Sequence, residues 1–142
     1  MPQARQAVAI ILLDSQQVLM IRRADTVPRP GIWSPPTGRV EIDETPAQAA
    51  VRETAEELGI AVRAQRRLWK CQTDDGRFDL HWWLVERCEL NHPLRPAADE
   101  VAELRWISPS EFAQLHPHFP QHRPFFADVL PSWLSQSSAE SE

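Results

Sequence analysis

The sequence predicts an α/β fold, a single-domain α/β/α sandwich with a mixed β-sheet and one helix packed across it. Three observations predict it. Residues Ala7 to Leu13 form a continuous apolar run rich in Val and Ile, the pattern of a strand buried on both faces. Thr45 to Leu58 carries helical periodicity with a start and a stop signal. Three further strand-like runs and a final helical run follow it.

The elements read in order as follows. Asp14-Ser15-Gln16-Gln17 is a turn, and Val18 to Arg23 returns as the partner of a hairpin. Asp25 to Pro36 is Pro-rich and contains Gly31, so it reads as a loop with Trp33 as its one large apolar anchor. In the helix, Thr45 is the N-cap, Pro46 suits the first helical position and Gln48 completes a capping box. Gly59 suits the position just past its end. Ala47, Val51, Thr54 and Leu58 share one face, expected to pack on the sheet. Val62 to Cys71 is a strand expected to be long and bent. The turn Thr73-Asp74-Asp75-Gly76 separates it from a strand over Phe78 to Cys88, and Val101 to Ile107 is another. Ser108-Pro109-Ser110-Glu111 opens a short helix to about Leu115. Pro117 to Pro124 is loop-like, and Phe125 to Leu134 is a final helix. Residues 1–134 form the domain, and the small, polar residues 135–142 are expected to be a disordered tail.

Bulk properties narrow the function. With 142 residues, 42% hydrophobic and 25% charged, the composition is that of one ordinary globular domain. A net charge of -5 and no long basic run speak against duplex nucleic acid as a partner. Such a chain needs a local cation to handle phosphates, either arginines or a bound metal. The N-terminal apolar run is too short to span a membrane and has no small-residue cleavage site, so no membrane partner is expected and the expected location is the cytoplasm. Cys71 and Cys88 lack metal-ligand spacing and read as idle thiols in a reducing compartment.

Glu53, Glu56 and Glu57 stand at i, i+3 and i+4, which puts three carboxylates on one helix face. They repel one another and sit near the C-terminal end, where the helix dipole disfavours negative charge. A hard divalent cation with oxygen ligands offsets this, and Mg²⁺ with one or two carboxylates and phosphate oxygens suits phosphate chemistry. A solvated acidic face with Arg52 as partial counter-ion has the same spacing.

The surrounding residues separate the two. Gly38, Glu44, Arg52, Glu53, Glu56, Glu57, Gly59 and Ile60 stand in the register of the Nudix box. That motif runs Gly, five residues, Glu, seven residues, Arg-Glu, an aliphatic residue, any residue, Glu-Glu, any residue, Gly, an aliphatic residue. The chain therefore resembles the Nudix hydrolase family of MutT-like nucleoside diphosphate-X hydrolases. Thr54 departs from the usual aliphatic residue, Thr37 from a Gly common before the motif, and Asp43 from a Gly frequent before Glu44. None of these removes a ligand.

The resemblance implies a Nudix-type α/β/α sandwich and roles for individual residues. Glu53, Glu56 and Glu57 are the implied metal ligands, with the Gly38 carbonyl as a further one. Arg52 and Glu44 are an orienting ion pair. The implied cofactor is Mg²⁺, with Mn²⁺ as an alternative, and the reaction is attack of water on phosphorus. Family members often add an acid from a later loop. Asp99, Glu100 and Glu103 are available, and Glu100 is preferred by its spacing to Trp106. Glu41 is a second base candidate.

For substrate, Arg23 and Arg39 are preferred over Arg22 and Arg29 as phosphate contacts. Trp33, Trp69, Trp82, Trp83, Phe78 and Trp106 could supply a base-stacking platform, and Trp33 and Trp83 are the chosen candidates. Alternation in the strand puts His81, Trp83 and Val85 on one face and Leu80, Trp82 and Leu84 on the other, so at most one of the adjacent tryptophans meets ligand. His81 reads as a satisfied sheet residue, and His116, His118 and His122 receive no role. The chain has no Tyr, which relatives cleaving dinucleoside polyphosphates carry, and its first Pro after Gly59 is Pro93, away from the position seen in ADP-ribose enzymes. NADH-type and coenzyme-A-type signatures are also missing. A (deoxy)nucleoside triphosphate, cleaved to monophosphate and pyrophosphate, remains by elimination. The alternatives are a nucleotide-sugar or ADP-ribose pyrophosphatase and a non-catalytic nucleotide-sensing module. A homodimer is left open.

Overall fold

The structure, a computed structural model, describes residues 5–140. The apolar run at the start becomes β1 (Arg5–Asp14), in which Val8, Ala9, Ile10 and Ile11 are completely buried. It lies parallel to β6 (Phe78–Arg87), with Ala7 opposite Leu80 and Ile11 opposite Leu84. Across its other edge it meets two short partners. Ala7 to Ala9 pair with β4 (Thr37–Arg39), and Leu13 and Asp14 pair with the start of β2 (Gln17–Arg23). The hairpin turn between β1 and β2 uses positive φ at Ser15 and Gln16, 51° and 66°, matching the two-residue geometry that strand twist favours. β2 carries β3 (Trp33–Ser34) on one side and β7 (Val101–Ile107) on the other. β5 (Val62–Gln72) closes the far edge against β6, with register shifts at Ala64/Arg66 and Arg67/Trp69. Among the described residues the sheet has seven strands and is mixed.

β3 and β4 fall where the sequence shows a loop and the opening of the motif. Strands of two and three residues are too short to display a period of two, so pattern alone misses them.

Each face of the sheet has its own core. On one face Ile10, Leu12, Leu19 and Val85 pack with Ala50 and Leu58 of α1 (Pro46–Leu58). On the other, Ile11, Met20 and Trp82 pack with Phe125, Phe126 and Leu130 from the C-terminal segment. Strand alternation therefore produces the three layers.

The caps of α1 form as expected. Thr45 Oγ1 accepts from the Gln48 N–H at 3.1 Å, and Gln48 Oε1 accepts from the Thr45 N–H at 2.9 Å. Gly59 sits at φ 68° and donates to the Ala55 carbonyl. The buried face is turned slightly from the expected one. Ala49, Ala50, Thr54, Glu57 and Leu58 are buried, while Ala47 and Val51 are half-buried. Thr54 resolves its polar departure by donating its hydroxyl to the Ala50 carbonyl at 2.6 Å.

A Cβ at Gly59 would stand 2.8 Å from Arg95 Cβ, on backbone already left-handed. Gly59→Ala is expected to destabilise the fold by about 1–3 kcal/mol, read as a lowered urea midpoint with an unchanged slope.

After β7, the expected short helix is a 3-10 helix over Pro109–Gln114, and part of the expected loop is a second one over Pro120–His122. A π-turn over Phe125–Val129 leads into α2 (Leu130–Glu140). α2 passes beyond Leu134 into the segment read as a disordered tail. Once Phe125, Phe126 and Leu130 are anchored in the core, each added residue gains a hydrogen bond without a new nucleation cost. Residues 1–4 of the expected domain and 141–142 of the expected tail lie outside the described residues. Among the described residues, no helix is long and apolar enough to cross a membrane.

Candidate active site

The acidic residues of α1 are organised by Arg52. Its guanidinium clamps Glu44 at two points, Nε to Oε2 at 2.8 Å and an Nη to Oε1 at 2.9 Å. The remaining donors reach Glu53 at 2.9 Å, Glu56 at 3.2 Å and the Arg39 carbonyl at 2.8 Å. One planar fork therefore ties α1 to the preceding loop and to β4. The Arg52 hydrogen bonds hold the Glu44 carboxyl well below its ordinary range, at about 2. Asp43 turns the chain just before Glu44 with φ 67°, the left-handed position that explains the family's usual Gly there.

Glu53, held by the Arg52 clamp, and Glu57 line a cleft of about 480 Å³ together with Gly38, Arg23, Arg39 and Glu100. Glu57 is the unusual member. The residue is only 5% exposed, and its Oε2 is buried with no hydrogen-bond partner. Burial, then the neighbouring Glu53 and Glu100 charges, push it up to about 9. Glu53 is raised mainly by burial, against the Arg52 hydrogen bond. Glu56 is exposed and faces Arg52, so the expected trio divides into two cleft carboxylates and one outer one.

Glu100 reaches the cluster because its loop is sewn to the end of α1. Arg95 N–H donates to the Leu58 carbonyl at 2.7 Å, and Ala97 N–H to the Glu57 carbonyl at 2.8 Å. The Glu100 carbonyl also accepts from Ala24 N–H at 3.0 Å.

The donor set fits a hard divalent cation. An orphaned buried carboxylate oxygen, a second half-buried carboxylate and an acid on a facing loop supply only oxygens. Among the described residues, no three acidic, His or Cys side chains stand together as a metal-holding group. A Mg²⁺ ion held here would take water and phosphate oxygens as its remaining ligands.

Arg23 lies at the end of β2, its Nε donating to the Pro28 carbonyl at 2.7 Å and an Nη to Thr37 Oγ1 at 3.3 Å. Arg39 stacks over Phe78 at 5.3 Å. Both line the cleft. Arg29 lines it too, held by a two-point pair to Asp74 at 2.8 and 2.9 Å, whereas Arg22 pairs with Glu103. The two tryptophans are placed elsewhere. Trp33 is buried in the Trp82 core with Arg105 stacked on it, and Trp83 packs in the α1 core. Neither lines the cleft, because their strands present them to the two interiors. His81 is nearly buried, with its ring nitrogens against Gln6 and Arg67, as expected of a sheet residue.

The family model for the NUDIX domain matches residues 3–129, nearly the whole chain. The chain belongs to the Nudix hydrolase family. It is 36% identical over 85 residues to an 8-oxo-dGTP diphosphatase of Escherichia coli, covering 58% of this chain and 66%, just under two thirds, of that relative. It is 27% identical over 126 residues to a dihydroneopterin triphosphate diphosphatase of Haemophilus influenzae, covering 76% of this chain and 75% of the relative. Its fold is similar to the solution structure of the E. coli ORF135 protein, with TM-score 0.72, 29% identity and coverage of 96% and 93% of the two chains.

The Nudix cleft also holds residues that sequence reasoning passed over. Leu80, Phe119 and His122 line it beside the Glu-Arg cluster, next to Phe78, one of the aromatic rings that the sequence offers for stacking. Phe119 and His122 come from a Pro-rich segment without helical or strand periodicity, so no spacing signalled them. His122 is 4% exposed, sits edge-on to Trp82 at 4.8 Å, and its Nδ1 is buried without a partner. Burial, helped by the His118 charge, lowers it to about 3, so it is neutral at physiological pH.

The unfolded chain binds this proton near 6.5, and the folded one only near 3. The stability it contributes is therefore complete above pH 6.5 and lost as pH falls toward 3, by up to about 1.4 kcal/mol per pH unit. His122→Asn is expected to flatten that acid slope in urea titrations between pH 6.5 and 4.

Proposed function

We propose that this Nudix protein is a Mg²⁺-dependent pyrophosphohydrolase that cleaves a (deoxy)nucleoside triphosphate to the monophosphate and pyrophosphate. The observation that carries the reading is the buried, unpartnered Glu57 carboxylate on the wall of a cleft that also presents Arg23 and Arg39. Glu53 and Glu57 would hold the metal, with Glu100 and the Gly38 carbonyl on the facing walls. Bound there, Mg²⁺ supplies Lewis-acid polarisation of the phosphate oxygens and a lowered pKa for water, and Mn²⁺ supplies the same chemistry. Arg52 keeps the Glu53 carboxylate fixed by a 2.9 Å hydrogen bond. Arg23 and Arg39 bring fixed positive charge to the phosphate chain of the substrate. The water oxygen bonds to phosphorus, its proton passes to a carboxylate of the cleft, and the anhydride bond to pyrophosphate breaks.

A volume of about 480 Å³ suits a mononucleotide. The two curated relatives described above are also named for triphosphate substrates. The test is a Mg²⁺ hydrolysis screen over nucleoside triphosphates, nucleotide sugars and dinucleotides, with products separated by anion exchange. Monophosphate plus pyrophosphate from a triphosphate, abolished by chelator, is the expected result. Sugar phosphate released from a nucleotide sugar at a higher kcat/KM would overturn it.

A further inference from the structure

We propose that the Arg29–Asp74 ion pair is a side-chain gate across the mouth of the cleft, and that the entry and exit of any cleft ligand wait on its opening. The gate acts on access and not on chemistry, so it does not depend on the nucleotide reading above.

The cleft lies between two segments that the sheet keeps apart. Residues 24–32 follow β2, and residues 73–77 join β5 to β6. β1 stands between β2 and β6 in the sheet, and its Ala7 lines the cleft. Val27, Pro28 and Arg29 line the cleft from the first segment, and Thr73, Asp74 and Asp75 from the second. The interior residues Ala7 and Leu80 are only 7% and 2% exposed. The side chains of Arg29 and Asp74 are 42% and 33% exposed. The pair therefore stands between the interior of the cleft and solvent.

Arg29 meets Asp74 in a planar two-point match. Its Nε and Nη2 donate to the two carboxylate oxygens at 2.9 and 2.8 Å, and Asp75 adds a second carboxylate at 3.7 Å. Among the described residues, no other hydrogen bond or ion pair joins the two segments. Each segment is otherwise tied to its own side. At the base of the loop after β2, the Arg23 and Gly31 N–H groups donate to the Ile32 and Arg23 carbonyls at 3.0 and 2.8 Å. Thr26 Oγ1 donates to the Asp99 carbonyl. In the hairpin turn, Gly76 N–H donates to the Thr73 carbonyl at 2.9 Å, and Thr73 Oγ1 donates to Asp75 at 2.7 Å. Opening therefore needs a side-chain rotation and no change of backbone.

The backbone presents Arg29 for this contact. It stands between Pro28 and Pro30, whose rings restrict the chain on both sides. It holds φ 58°, a left-handed value uncommon for a residue with a β-carbon. Such a conformation kept in an exposed loop points to a task for the side chain it presents.

Magnitude decides what the pair can do. An exposed ion pair is a weak contact that salt screens, so it does not lock the cleft. It holds the closed form at about a two- to fivefold excess over the open one. That slows exchange by the same factor and leaves the gate reversible on every visit.

Two readouts on the metal-free full chain test the gate, with each variant checked for folding by circular dichroism. The first needs no ligand. A neutral nitroxide is added, and its broadening of the Ala7 and Leu80 methyl resonances reports access to the cleft interior. Arg29→Asp and Asp74→Arg should each raise that broadening about two- to fivefold, as should high salt on the wild type. Asp tolerates the left-handed backbone at position 29. The double charge swap restores an ion pair and should return the broadening to the wild-type level. The second readout is stopped-flow exchange of GMP carrying a fluorescent label on its ribose. Association and dissociation should both quicken in the single variants, with Kd within about twofold of the wild type. Unchanged broadening in both single variants, or a double swap as open as either, overturns the gate. So does a Kd raised more than about tenfold in Arg29→Asp alone, which would make Arg29 a ligand contact instead. Broadening that follows the gate, with no binding of the labelled nucleotide, would uphold the gate and sink the nucleotide reading alone.

Discussion

Glu57→Gln is expected to lower turnover by roughly 10²–10⁴-fold while leaving the fold intact, because it removes a negative oxygen ligand from the point where phosphate charge is stabilised. Gln is nearly isosteric, and the wild-type carboxyl already favours its proton in the absence of a cation, at about 9. The same shift sets a pH dependence. The folded state keeps this proton over a window from the ordinary 4.5 up to about 9, where the unfolded chain has lost it. Stability of the metal-free protein therefore falls as pH rises through that window, by up to about 1.4 kcal/mol per pH unit. In chelator, Glu57→Gln should flatten the fall, so the variant is the more stable protein at pH 8 and the less active one with Mg²⁺. Full Mg²⁺-dependent activity in this variant and in Glu53→Gln would remove both residues from the metal site.

Gly38→Ala is expected to cost about 10²-fold in kcat/KM with a much smaller effect on stability. A Cβ at Gly38 would overlap Cγ and Cδ of Glu53 and stand 2.5 Å from Oε1. The backbone there is not left-handed, so the conflict falls on the glutamate side chain and on its hydrogen bond from Arg52. A displacement of about 1 Å in a group that positions the reaction costs on this order. Steady-state kinetics beside a urea titration separate the two effects. An unchanged kcat/KM would show that Glu53 does its work from another rotamer.

The helix and its surroundings were legible because several local signals agree there. Thr45, Pro46, Gln48 and Gly59 mark both ends, and the register from Gly38 to Ile60 adds the chemistry. The motif even accounts for its own departures. Asp43 takes the left-handed backbone that Gly would take, and Thr54 buries its hydroxyl on the Ala50 carbonyl. What stayed hidden is what long-range packing decides. Trp33 and Trp83 looked like stacking groups because sequence shows a ring but not the side on which it is buried. Phe119 and His122 looked inert because nothing local brings them to Ala7 and Leu80. Only a 3-10 turn docked against Trp82 does so. Glu100 lies between these cases. Spacing pointed to it, but the backbone bonds from Arg95 and Ala97 to the end of α1 are what carry its loop to the carboxylates.

The parallel pairing of β1 with β6 bears on how the chain is made. Arg5 lies opposite Phe78, so the centre of the sheet cannot close until β6 has been synthesised. At ordinary elongation rates that is roughly 4 to 15 seconds during which the Val8–Ile11 run waits without its main partner. Its nearer hydrogen-bonding partners, β2 and β4, cover only part of it. A ribosome-bound nascent chain halted before Phe78 should therefore expose a sticky apolar segment at its N-terminal end, and release of β6 should hide it.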